Sequence, residues 1–101
     1  MGFFGFLRKK KKFEGLAFEG GPGDRTKSAV LIRGAPNHLA GVLAEYDYLS
    51  KKFGNRDTEW HVTSQTLLNP GRRYYDRMDI KLSDGTERTI FFEITEFFGK
   101  R

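Results

Sequence analysis

Two histidines and four carboxylates are the residues whose types could do chemistry in this chain of 101 residues: His38 and His61, and Asp76, Asp79, Glu93 and Glu96. A metal centre needs three or four converging ligands, and two imidazoles without any cysteine do not supply them. His38 stands at the start of a helical segment, where it caps or is solvated. His61 alternates with Trp60 and Val62 and is expected to face away from the core. The carboxylates are interspersed with Arg77, Lys81 and Arg88, so the expected arrangement is cross-strand charge pairing on an outer face. The chain holds no G-x-S-x-G and no phosphate loop, because "EGGPGD" lacks the Lys-Ser/Thr ending that such a loop requires. The expectation is a domain that is not an enzyme, without cofactor or metal.

The elements that must position these residues follow from periodicity. Residues 14 to 25 carry Gly15, Gly20, Gly21 and Gly23 with Pro22, which allows a short extended piece at Leu16 to Phe18 and then a loop. "KSAVLIRG" is an apolar run of strand length ended by Gly34. From Pro36 to Phe53 the period is helical, with Leu39, Val42, Leu43, Tyr46, Leu49 and Phe53 on one stripe. Asn37 is the expected N-cap, Lys51 and Lys52 suit the negative end of the dipole, and Gly54 supplies the stop. Gly41 inside the helix costs about 1 kcal/mol relative to Ala, which points to close approach of a sheet at that position.

After Gly54 the period changes to two. Trp60, Val62 and Leu68 share one face of a strand over Trp60 to Leu68, with Ser64 and Thr66 between them. Pro70 and Gly71 make a turn. A strand over Arg73 to Leu82 points Tyr74, Met78, Ile80 and Leu82 inward, and Asp84-Gly85 is a tight hairpin turn. A strand over Arg88 to Phe97 points Ile90, Phe92 and Ile94 inward, leaving Phe91 and Phe97 as an outward apolar stripe that would mark an interface. The expected fold is α+β: one long helix packed on a curled antiparallel sheet of four or five strands, formed by residues 14–101 as a single domain.

Charge divides the chain in two. Residues 1–13 hold five basic groups and no acid, which leaves 13 basic and 13 acidic residues in the rest. The net charge of +5 is therefore a property of the leader "MGFFGFLRKKKKF", and the basic isoelectric point does not mark the whole domain as a nucleic-acid binder. Apolar residues precede basic ones, the reverse of a secretory signal, and Phe6 stands where a myristoylation pattern has Ser or Thr. The leader is expected to be mobile and to touch an anionic membrane surface weakly through Phe3, Phe4, Phe6, Leu7, Arg8, Lys9, Lys10, Lys11 and Lys12. Its rings contribute about 1.5–3 kcal/mol each and its cations about 1 kcal/mol each, against about 1–2 kcal/mol per residue ordered. A solvated tail is the alternative. The lack of cysteine suits a reducing compartment, so the expected location is cytoplasmic, with peripheral membrane contact.

Several residues carry a resemblance. Gly20-Gly21-Pro22 near the N-terminus, the Glu45-Tyr46 pair in the helix, and Gln65, Leu67 and Gly71 in a hairpin followed by Tyr74 and Tyr75 are similar to the cystatin and stefin family. The resemblance spans roughly Glu19 to Phe98. It implies a helix wrapped by a curled sheet, and inhibition of papain-like proteases by a wedge of Gly20–Gly21 and two hairpins. Two departures stand out: Asn69 replaces the glycine of the first hairpin, and the second hairpin, "SDGTER", has a charged tip. The expected function is a small non-catalytic binding or adaptor domain with a protein partner. Its contacts are drawn from Gly20, Gly21, Gln65, Leu67, Asn69, Pro70, Gly71, Phe91 and Phe97. The alternatives are a cystatin-type inhibitor and a nucleic-acid binder using the leader with "RRYYDR". Nucleic acid is the less expected partner, because acids interrupt that patch and alternation splits Tyr74 from Tyr75.

Overall fold

A computed structural model describes residues 15–101. The leader at 1–13, with every membrane-contact residue assigned to it, lies outside the described residues. The described chain forms strand β1 (Ala17–Gly20), a single 3-10 turn at Thr26–Ser28, strand β2 (Val30–Arg33), helix α1 (His38–Phe53), and strands β3 (Trp60–Leu68), β4 (Tyr75–Leu82) and β5 (Glu87–Glu93). This is an α+β architecture in which one helix lies against a five-stranded sheet.

The strands are ordered β1-β2-β5-β4-β3. Three neighbouring pairs are antiparallel, and β2 with β5 is parallel, so the sheet is mixed rather than wholly antiparallel. The cause is the path of the chain. From β2 it crosses the sheet through α1 to the far edge, then returns by the short-turned meander β3-β4-β5. Three alternating strands bring β5 back beside β2 pointing the same way.

The helix ends behave as their residues dictate. The Asn37 side-chain oxygen accepts a hydrogen bond from the Ala40 backbone N–H at 2.9 Å, and the Gly54 N–H donates to the Ser50 carbonyl at 2.9 Å with φ of 103°. The face that the helix buries keeps Leu49 of the expected stripe, with Tyr46 and Phe53 packed at its margin, and is otherwise rotated from it. Gly41, Ala44, Glu45 and Leu49 are buried, whereas Leu39 is 68% exposed. Small residues let the helix come close, so the contact face is rotated from the row of largest side chains toward the row of smallest. At Gly41 the neighbour is the ring of Phe97 from the C-terminal turn rather than a strand, and a Cβ there would fall on that ring.

On the helix side of the sheet lie Val30, Ile32, Trp60, Met78, Ile80, Ile90, Phe92 and Ile94, closed over by Ala44 and Leu49. Trp60 stacks on Tyr46 and its indole N–H donates to the Gly54 carbonyl at 2.7 Å, which ties the end of α1 to the start of β3.

Two strand expectations change. In β3 the pairing slips between Val62 and Ser64, a bulge at which Thr63 donates its hydroxyl to the Asp79 carbonyl. The extra residue reverses the alternation. Gln65 and Leu67, opposite Met78 and Asp76, therefore occupy the helix side that Ser64, Thr66 and Leu68 were expected to share. The last strand also stops at Glu93 instead of reaching Phe97. The chain turns there, with the Phe97 and Phe98 N–H groups both donating to the Ile94 carbonyl. Phe97 is consequently folded inward and fully buried, not outward as the strand pattern implied.

A Gly41→Ala substitution should test the close contact. Ala gains about 1 kcal/mol of helix propensity, while overpacking against a buried ring costs about 1–3 kcal/mol. The expected result is a net loss of stability and a thermal midpoint lowered by roughly 4–8 °C for each 1 kcal/mol lost, measured by circular dichroism. An unchanged or raised midpoint would show that the Phe97 ring is free to move aside.

Candidate functional site

A half-open cleft of about 240 Å³ lies between the first half of α1, the far ends of β3 and β4, and the C-terminal turn. Its walls are Val42, Leu67, Ile94, Phe97 and Phe98, and its polar groups are His38, Glu45, Gln65 and Asp76. Each side chain is placed by a feature already described. Glu45 is one turn beyond Gly41 on the buried face of α1. Asp76 shares the inward parity of Met78 and Ile80 on β4. Gln65 and Leu67 are brought inward by the bulge.

The C-terminal turn forms the remaining wall and is fastened to the start of the helix. The His38 N–H donates to the Lys100 carbonyl at 2.8 Å, and the Gly99 N–H donates to His38 Nδ1 at 3.1 Å. The second bond needs a free lone pair on Nδ1, so in the neutral ring the proton sits on Nε2. The imidazole meets Phe97 and Phe98 edge to face at 5.7 and 5.5 Å, and Phe98 stacks on Tyr74 at 4.3 Å.

The floor of the cleft is a pair of buried acids. Glu45 is 1% exposed and Asp76 is 5% exposed. Gln65 Nε2 donates to Asp76 Oδ2 at 2.7 Å. No donor among the described residues reaches either carboxyl oxygen of Glu45. Burial is the main reason that the Glu45 carboxyl is pushed up to about 10. Asp76 adds to the effect, both through the hydrogen bond that a Glu45 proton makes to it and through its negative charge. At neutral pH Glu45 therefore keeps its proton. Among the described residues, no lysine or arginine lines the cleft.

Chemically, the cleft offers one acid proton, several acceptor lone pairs and an apolar wall. Among its described lining residues there is no serine, threonine, cysteine or lysine to act as a nucleophile.

The other residues singled out from the sequence go elsewhere. His61 is exposed on β3. Asp79 pairs with Arg77 and Thr89, Glu93 with Arg73, and Glu96 with Arg33 and the Gly34 N–H, so these three acids do not converge with Asp76. Of the expected interface residues, Gln65, Leu67 and Phe97 meet in the cleft. Gly20 and Gly21 lie at the β1 edge of the sheet, four strand spacings or about 19 Å from β3. Asn69, Pro70 and Gly71 are exposed in the β3–β4 turn, where the Asn69 side chain donates to the Arg73 carbonyl. The β4–β5 turn sits at the other end of β4, so the two hairpin tips point to opposite ends of the sheet. Phe91 is half-buried on the face away from the helix, under the Arg77 guanidinium. In "RRYYDR", Tyr74 is occupied by Phe98 and Tyr75 is buried.

The carboxyl pair escaped the sequence reading although two signals pointed to it. Asp76 has the phase of Met78 and Ile80, and Glu45 stands four residues from both Gly41 and Leu49. No family model, curated protein or solved structure matches the chain. No helix among the described residues is long and apolar enough to cross a membrane.

The raised Glu45 carboxyl makes stability depend on pH with a definite sign. Below its ordinary value of 4.5 both folded and unfolded chains hold the proton. Between 4.5 and about 10 only the folded chain does, so folding takes up a proton and stability falls as pH rises. Each pH unit in that window costs about 1.4 kcal/mol. Glu45→Gln should remove this contribution, leaving a flatter urea-denaturation profile between pH 5 and 9 and a more stable protein at the alkaline end. Parallel profiles for the two proteins would mean that Glu45 ionises freely.

Proposed function

We propose that this chain is a non-catalytic binding domain whose recognition site is the cleft between α1, β3–β4 and the C-terminal turn. One observation carries the reading: two buried carboxyl groups, Glu45 and Asp76, meet at the floor of an open cavity, and no described residue donates a hydrogen bond to Glu45. Buried acids are rare unless they are paired with a cation, because taking a carboxyl group out of water is costly. A fold that keeps two acids together at the floor of a cleft leaves them short of hydrogen-bond donors. The volume equals about eight water molecules at about 30 Å³ each, enough for a small molecule or one side chain of a partner. Leu67, 50% exposed at the rim, supplies apolar surface that a ligand would cover.

Amide shift mapping of the full chain against a library of small organic fragments tests the reading. Saturable changes should cluster at Val42, Glu45, Gln65, Asp76 and Phe97. A Val42→Trp variant, which fills the cleft from its half-buried wall, should keep the folded spectrum and lose those responses. Responses scattered over the surface, or none at all, would remove the cleft from consideration.

A further inference from the structure

We propose that the cleft takes a cationic nitrogen carried on a short apolar stem, either an alkylammonium or a guanidinium group. This assignment rests on the cleft being the binding site and adds the chemical class of its ligand.

Two carboxyl groups meet at the floor of the cleft, and among the described residues no lysine or arginine lines it. Gln65 already spends one side-chain N–H on Asp76, and Glu45 receives no donor among the described residues. The floor is thus rich in acceptors and poor in donors, which matches a ligand end that only donates. Ammonium and guanidinium are such groups, with three and five N–H donors and no acceptor. An anionic ligand would meet the charge of Asp76 without a compensating cation. A hydroxyl offers one donor where several lone pairs wait. Above the floor, Val42, Leu67, Ile94, Phe97 and Phe98 present hydrocarbon and ring surface suited to a stem of a few methylenes.

The exchange balances in charge. The ligand enters as a cation, Glu45 releases its proton to solvent, and the new carboxylate accepts N–H bonds from the ligand. The net charge of the cleft is the same before and after, so the ligand replaces a proton instead of adding an uncompensated charge to a buried site. The titratable groups facing Glu45 are Asp76 from β4 and His38 from its own helix. Gln65 from β3 is neutral, and the C-terminal turn contributes none.

The test titrates the full chain with n-butylammonium, butan-1-ol and butyrate, which share a four-carbon stem and differ in charge. Butylammonium should saturate the amide shifts of Glu45, Gln65 and Asp76 at least tenfold more tightly than butan-1-ol, with no response to butyrate. Its affinity should rise about tenfold per pH unit from pH 6 to pH 8, because a proton leaves on binding. Glu45→Gln, a neutral side chain of the same shape, should abolish both the preference and the pH dependence. A blocked Gly-Lys-Gly peptide separates the two sources of such a group: tighter binding than butylammonium assigns a protein side chain, and weaker binding assigns a free amine. Equal or tighter binding of butan-1-ol overturns the cationic assignment while leaving the cleft as a site. A pH-independent affinity overturns the exchange. Failure of every probe in the fragment library to reach the cleft overturns both this assignment and the reading beneath it.

Discussion

Contact between a glycine and an aromatic ring fastens the C-terminal turn to the helix beside the candidate site. Gly41 has no Cβ, so the Phe97 ring lies directly on the helix backbone. That approach lets the C-terminal turn reach the first turn of α1, where His38 binds both Gly99 and Lys100. The turn then closes one side of a cleft that would otherwise be an open edge of the sheet. A larger residue at position 41 would push the turn outward and leave the carboxyl pair in water, where Glu45 would lose the environment that keeps its proton. The packing of one ring and the ionisation of one acid are thereby linked through a single missing methyl group.

Most of the architecture is legible in the residues, because the signals involved are local. The change of period after Gly54, the Asn37 cap, the Gly54 stop and the Asp84-Gly85 turn are all dictated by neighbours within a few positions. What is not legible depends on partners far away in the chain. The helix face was misjudged because apolar side chains mark a stripe in isolation, whereas the buried face is chosen by how near a neighbour can come. Small residues decide that, and Leu39 is left in solvent as a result. The phase of β3 turns on one extra residue at Thr63, which no alternation count reveals. The end of β5 is set by what the following aromatics can cover, so a run that continues to alternate on paper stops at Glu93.

The site was hidden for a related reason. Charged residues are read as solvent-facing unless paired, and both members of this pair looked like surface acids. Asp76 followed the inward phase of its strand all along. Glu45 was assigned to a family motif with Tyr46, although its helical position alongside Gly41 and Leu49 placed it inside. An acid found in phase with buried neighbours is an unfavourable choice for stability alone. Here two such acids stand on elements that converge on one cavity.

The bulge in β3 has a further consequence for the protein among its own copies. β3 is the outer strand of the sheet on one side and, with nine residues, the longest strand in the described chain. A straight strand of that length, with its outward N–H and C=O groups unoccupied, is a template on which another chain can add and propagate. The irregular step between Val62 and Ser64 breaks the even spacing of those groups and increases the local twist. A second strand could match one half of β3 but not both in the same register. The residue that turns Gln65 toward the cleft also interrupts the edge of the sheet, so one insertion shapes both the cavity and the outer strand.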